Sequence, residues 1–208
     1  MLSVLVTNTK GGCGKTTIAT NLAAAFARGG LPTALADVDR QKSSLGWLGS
    51  RPDDSPGIEG LDWRKGRTKV PDGIRRLVID VPAGLRISHV DELMREADLL
   101  VVPVQPSTFD EGSTRRFLSK LDGIKPIRKG KKAVLVVANR VRQRSRSAQR
   151  QLAFLADVGH APVATIHDRA MYDELAWSGL GVFDLDAARA RSVRADWLPL
   201  LTAIEDGG

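Results

Sequence analysis

One cysteine, Cys13, among 208 residues leaves no partner for an internal disulfide. The three histidines, His89, His160 and His167, lie far apart and show no metal-ligand spacing. No apolar run approaches the roughly 18 residues that a membrane helix needs. Aromatic residues make up only 5% of the chain, and Trp47, Trp63, Trp177 and Trp197 are too scattered to form a stacking platform for bases. The opening Met1 to Asn8 has neither the charged head nor the long apolar stretch of a secretion signal. A cytosolic chain is expected. Acidic residues are missing from one whole segment: between Lys125 and Arg150 lie ten lysines and arginines and no Asp or Glu. With a net charge of +7, that block points to a polyanionic partner.

An apolar fraction of 42% and a charged fraction of 26% are ordinary for a globular protein, and the length suits one domain over residues 1–208. Short apolar runs, Leu2 to Val6, Thr33 to Ala36, Leu77 to Val81, Leu99 to Val104 and Ala133 to Ala138, alternate with helical segments. Those segments are Thr16 to Arg28, Val90 to Ala97, Glu111 to Leu121 and Ala148 to Ala156. Strands apolar almost throughout suit a sheet covered on both faces. The pattern predicts an α/β fold, a doubly wound and mostly parallel sheet with helices on both sides. The Gly- and Pro-rich stretch from Gly49 to Pro71 reads as loops around a short strand near Leu61 to Trp63. A last helix is expected from about Asp186 to Ile204, bent or broken at Pro199.

The first strand runs into Thr9-Lys10-Gly11-Gly12-Cys13-Gly14-Lys15-Thr16-Thr17, followed by a helix. Glycines allow backbone N–H groups to close around phosphate oxygens, and the helix N-terminus adds its positive dipole end. Lys15 is placed to reach the β and γ phosphates, and Thr16 to bind Mg²⁺ through its hydroxyl. Thr9 stands where the usual spacing has a glycine, so this is a variant of the loop. Two further strands end in carboxylates: Asp37 and Asp39 in Asp37-Val38-Asp39-Arg40-Gln41, and Asp80 in Leu77-Val78-Ile79-Asp80-Val81-Pro82-Ala83-Gly84. Acids at the carboxyl edge of a parallel sheet lie where ligands of such folds bind. Taken alone, the first pair has a lesser reading as a cap on the following helix.

Lys10-Gly-Gly-X-Gly-Lys-Thr-Thr resembles the deviant Walker A loop of the ParA/MinD family of ATPases, and the resemblance extends over nearly the whole chain. It implies that Lys10 is the signature lysine reaching the partner subunit's nucleotide in an ATP-bound homodimer. It further implies that Gly11, Gly12, Cys13, Gly14, Lys15, Thr16 and Thr17 hold ATP. Asp39 then orients the attacking water, Thr16, Asp37 and Asp80 surround Mg²⁺, Gly84 lies in a loop sensing the γ phosphate, and Asn139 contacts adenine. Arg40 replaces the family's usual proline. Val102 to Ser107 is read as structural, and Cys13 as a space-filler with a lesser reading as a redox-sensitive thiol. A lone cysteine argues against the iron-sulfur reductases that share this loop.

The functional expectation is a ParA-like ATPase that binds DNA without sequence preference and positions a plasmid, a chromosome region or a protein cargo. A ParB-like or cargo-adaptor protein would activate it, and the protein would associate with the nucleoid. Arg169, Arg189, Arg191 and Arg194 are its expected DNA contacts, with Arg142 to Arg150 as the alternative. A MinD-like membrane cycle is disfavoured by the acidic end Glu205-Asp206-Gly207-Gly208. A nucleotide-switched scaffold with little turnover is the remaining reading. Lys10→Ala is expected to keep measurable ATP binding while losing dimerisation or turnover; sedimentation with ATP and phosphate release check it, and a normal dimer hydrolysing at the parent rate would refute the assignment.

Overall fold

The computed structural model describes residues 1–107, 110–142 and 145–207, apart from the side chains of Ala187 and Arg189. Its elements run β1 (Leu2–Val6), α1 (Lys15–Arg28), β2 (Thr33–Asp37), α2 (Ser43–Gly49), β3 (Glu59–Asp62), β4 (Arg76–Asp80), α3 (Ile87–Leu93) and β5 (Leu99–Val104). They continue with α4 (Glu111–Asp122), α5 (Lys125–Arg128), β6 (Val134–Val141), α6 (Arg146–Asp157), β7 (Ala164–His167), α7 (Met171–Trp177) and α8 (Ala187–Asp206). The seven strands form one sheet in the order β3-β2-β4-β1-β5-β6-β7, and each neighbouring pair is parallel.

Alternation along each strand sends side chains to two separate cores. Val4, Leu35, Val78, Leu99, Val101 and Val137 face the α1 and α8 side, where they pack with Ile18, Leu22, Trp197 and Ile204. Leu5, Ala34, Ile79, Leu100, Val102 and Val136 face the other side, with Val90, Phe117, Leu121 and Leu155. The central strand β1 is where strand addition changes direction: β2, β3 and β4 lie on one side of it and β5, β6 and β7 on the other. Ligand crevices of such sheets open at that point, beyond the strand carboxyl ends.

The short elements α2, α5, β7 and α7 were not anticipated from sequence. The helix α8 is not broken at Pro199, which lies inside it. Burial of Trp197, Leu200 and Ile204 against the sheet, on both sides of the proline, offsets the missing N–H.

The loop after α7 is fixed to the end of α2 by a buried ion pair. Arg51 Nη1 and Nη2 each donate to Asp184 at 2.9 Å, with side chains only 5% and 2% exposed. Arg51 also donates to the Gly179 and Pro56 carbonyls and lies over the Trp47 ring. Gly179 has φ +66, and a Cβ there would meet the Arg51 backbone nitrogen at 2.3 Å. Asp184→Ala, which strands a buried guanidinium, is expected to cost about 3 kcal/mol of stability, and Gly179→Ala a comparable amount through strain and clash. Urea unfolding measures both; losses under about 0.5 kcal/mol would show that this junction does not hold α2 in place.

Candidate functional site

The turn from β1 into α1 forms the floor of a cavity of ≈ 490 Å³, walled by Gly11, Gly12, Gly14, Lys15, Thr16 and Thr17 together with Asp39, Gln41, Ser43, Val81, Pro82, Ala83 and Arg140. Gly12 and Gly14 take φ +74 and +88, which L side chains rarely adopt. Neighbouring strands brace the turn. Asn8 Nδ2 donates to the Pro103 carbonyl and its Oδ1 accepts from the Lys10 N–H, while the Gly84 N–H donates to the Thr9 carbonyl. Asn139 Nδ2, near the end of β6, donates to the Cys13 carbonyl at 2.8 Å. Gly84 is thus a brace on the loop, and Val81, Pro82 and Ala83 reach the cavity ahead of it.

The two lysines of the motif have different surroundings. Lys15 is buried and donates from Nζ to the Lys10 carbonyl at 2.9 Å. Lys10 does not wall the cavity; its ammonium is paired with Asp110, at the start of α4. The Lys10 ammonium and then the Ser107 hydroxyl hold the Asp110 carboxyl below its ordinary range. Cys13 is buried and donates to the Lys10 carbonyl, and burial pushes its thiol pKa up over the opposing pull of Lys15. Both features favour the space-filling reading over the redox-sensitive one.

Asp37 and Asp80 are register partners on adjacent strands, and both are buried. Asp37 accepts from the Asp39 N–H at 2.8 Å and from the Ser44 and Leu45 N–H groups at 3.1 Å each. Asp37 thereby anchors the start of α2, the contact that the helix-capping reading describes. Asp39 lies on the cavity wall, accepting from the Gln41 N–H.

Asp80 Oδ1, Thr7 Oγ1 and Ser44 Oγ are buried without a hydrogen-bond partner among the described residues. Burial pushes the Asp80 carboxyl up to about 7, against the pull of the Thr16 hydroxyl and with the neighbouring Asp37 charge adding to the rise. An orphaned carboxylate oxygen and a hydroxyl beside a phosphate loop fit Mg²⁺, which keeps waters and shares ligands with phosphates. Among the described residues no three His, Cys, Asp or Glu gather into a protein-only cage.

The expected DNA arginines that the structure describes differ in their surroundings. Arg194 donates to the Val182, Phe183 and Leu185 carbonyls, so it is committed to holding the start of α8. Arg169 lies 3.5 Å from Asp196 and lines a second, smaller cavity with Asn139. The Arg189 side chain lies outside the described residues, and Arg191 is exposed. The basic block is split by β6. Lys125 to Lys132 precede that strand, where Lys132 bonds the Met94 and Ala97 carbonyls, and exposed Arg142, Arg146 and Arg150 follow it at the cavity edge of the sheet. Arg144 lies outside the described residues. Arg140, counted from sequence only as part of the block, walls the phosphate cavity, its backbone turned to φ 54 at an irregularity in the β6–β7 pairing.

Residues 4–179 match the model of the CobQ/CobB/MinD/ParA nucleotide binding domain. The chain is 30% identical over 211 residues to the maintenance of carboxysome distribution protein A of Halothiobacillus neapolitanus, covering 91% of this chain and 90% of that one. Among solved structures, the Cyanothece McdA–ATP complex superposes with a TM-score of 0.73 at 18% identity, covering 96% of each chain. A putative plasmid partition protein of Borrelia burgdorferi bound to AMPPNP gives 0.74 at 12% identity, over 97% of this chain and 98% of that one. These two structural likenesses establish the fold.

The raised Asp80 pKa has a consequence for stability. Below about pH 4 both folded and unfolded chains hold this proton; between there and about 7 only the folded chain does, so the stability it provides fades as pH rises through that window. The expected loss is on the order of 4 kcal/mol. Asp80→Asn should flatten that slope in urea unfolding with EDTA and no nucleotide. A variant with the parent's full pH dependence would assign the slope to other groups.

Proposed function

We propose, because the chain belongs to the CobQ/CobB/MinD/ParA nucleotide-binding family, that it is a ParA-like ATPase that positions a cargo in the cell through an ATP-bound homodimer holding DNA without sequence preference. The observation that carries this reading is the position of Lys10. It belongs to the phosphate loop by sequence, yet its ammonium is held outside its own cavity by Asp110. A cation placed there serves a nucleotide presented from a facing subunit.

In this reading the loop N–H groups and Lys15 bind the β and γ phosphates, and Asp39 orients the attacking water. Phosphoryl transfer depends on such positioning more than on covalent chemistry. Thr16, and Asp80 through water, would hold Mg²⁺, which neutralises charge on the phosphates when bound. The relative's name favours a protein assembly as cargo, with an adaptor or ParB-like protein as activator. No described helix is long and apolar enough to cross a membrane. The exposed Arg142, Arg146, Arg150 and Arg191 are the proposed phosphate contacts with DNA, and a dimer doubles the number engaged at once.

Asp39→Ala should accumulate as an ATP-bound dimer with turnover lost, read by sedimentation and phosphate release. ATP with Mg²⁺, and not ADP, should promote binding to duplexes of unrelated sequence. Replacing Arg142, Arg146 and Arg150 together should lower the salt dependence of that binding by about one unit of slope for each of these arginines that pairs with a DNA phosphate. Gel shifts over a salt series test it: absence of ATP-dependent binding at low salt would remove DNA as the matrix.

A further inference from the structure

A cavity of ≈ 110 Å³ adjoins the phosphate cavity and shares Thr17 and Arg140 with it. Its walls also include Asn139, His167, Arg169 and Tyr172. A nucleotide whose phosphates occupy the loop has its base to place, and this is the adjoining enclosed space on the β6 side. Two of the polar groups there, His167 and Arg169, are engaged by one acid on α8. Asp196 receives His167 Nδ1 at 3.0 Å on both carboxylate oxygens, accepts the His167 backbone N–H at 3.3 Å, and lies 3.5 Å from Arg169 Nη2. A carboxylate only accepts, so Nδ1 carries the ring proton. In the neutral imidazole, Nε2 on the opposite edge is then a bare acceptor. Arg169 Nε is buried and has no acceptor among the described residues.

We propose that His167, with its tautomer fixed by Asp196, is the residue that selects the base: Nε2 accepts a hydrogen bond from the exocyclic amine of a 6-aminopurine. Arg169 Nε complements it as a donor to a ring nitrogen. An acceptor and a donor on the wall of one cavity match adenine. Guanine and hypoxanthine present a carbonyl oxygen at the same position, which sets two acceptors against each other, and a site built to bond an N–H discriminates through such unpaired groups. Asn139, expected from sequence to read adenine, gives one of its two amide N–H groups to the Cys13 carbonyl and lines the same cavity. The inference rests on the nucleotide-binding reading above and names the base-selecting residue within it.

ATP and ITP isolate the effect, because they differ at purine position 6, and inorganic tripolyphosphate samples the phosphate loop alone. Calorimetric titration at pH 8 with Mg²⁺ should show a preference for ATP over ITP in the parent protein. His167→Ala should reduce that ratio about five- to tenfold, the worth of one hydrogen bond, with tripolyphosphate affinity unchanged. Asp196→Asn donates an N–H to Nδ1, so the ring proton moves to Nε2 and the preference should shift toward ITP. A purely structural tether between β7 and α8 would weaken both nucleotides equally and leave the ratio alone. An unchanged ratio in His167→Ala, with nucleotide still bound, overturns the inference and leaves the ATPase reading standing. A parent protein that binds none of the three ligands overturns both. Should Asp196→Asn fail to fold, His167→Ala decides the matter alone.

Discussion

The hydrogen bond from the Asn139 amide to the Cys13 carbonyl joins two parts of the sheet that the chain itself keeps far apart. The phosphate loop leaves β1, Asn139 lies near the end of β6, shortly before Val141, and β5 lies between these strands. The contact is close enough that a Cβ on Gly14 would fall 2.2 Å from Asn139 Nδ2. Gly14 is thus required twice, for its positive φ and for the space the amide takes. The loop shape that receives phosphate is set partly by β6, and so is the wall of the adjoining cavity. The irregularity that turns Arg140 to φ 54 directly after Asn139 belongs to the same arrangement, a bulge re-aiming a side chain at a cavity rim.

The buried carboxylates on β2 and β4 reach opposite solutions to one problem. A buried charge is costly unless it is paired or bonded. Asp37 satisfies the requirement with three backbone N–H groups, and in doing so orders the segment carrying Asp39 and the start of α2. Asp80 keeps an orphan oxygen and a pKa near 7. Perturbed groups of this kind gather where chemistry is done. One acid holds the scaffold, and its neighbour is the one proposed above to hold the metal.

The sheet was legible because strands buried on both faces read as unbroken apolar runs: β1 and β5 match their expected limits residue for residue. What sequence missed has local causes. The β7 segment is only four residues long with Thr165 and His167 half-buried, so it lacks that signal. The α2 segment Ser-Ser-Leu-Gly-Trp-Leu-Gly carries two glycines, and its anchor is Asp37, outside the segment and on the preceding strand. The phosphate loop was legible because glycine and lysine spacing alone specifies it. The arginines were not, since a block continuous in sequence is divided by an eight-residue strand, which carries its halves about 25 Å apart to opposite ends of the sheet.

Both motif lysines are already engaged, and the strength of each engagement ranks how they yield. Lys15 Nζ bonds a neutral carbonyl, that of Lys10. A phosphate oxygen is the stronger acceptor, because charge-assisted hydrogen bonds are roughly twice as strong as those to neutral groups, so an arriving nucleotide takes Lys15 readily. Lys10 is held by a carboxylate, and the same comparison gives a phosphate little advantage over Asp110. Only an anion that arrives together with further contacts, as a nucleotide carried by a second subunit would, brings enough differential affinity to draw Lys10 away. The order of the proposed cycle, nucleotide first and dimer second, therefore follows from which acceptor each lysine must leave.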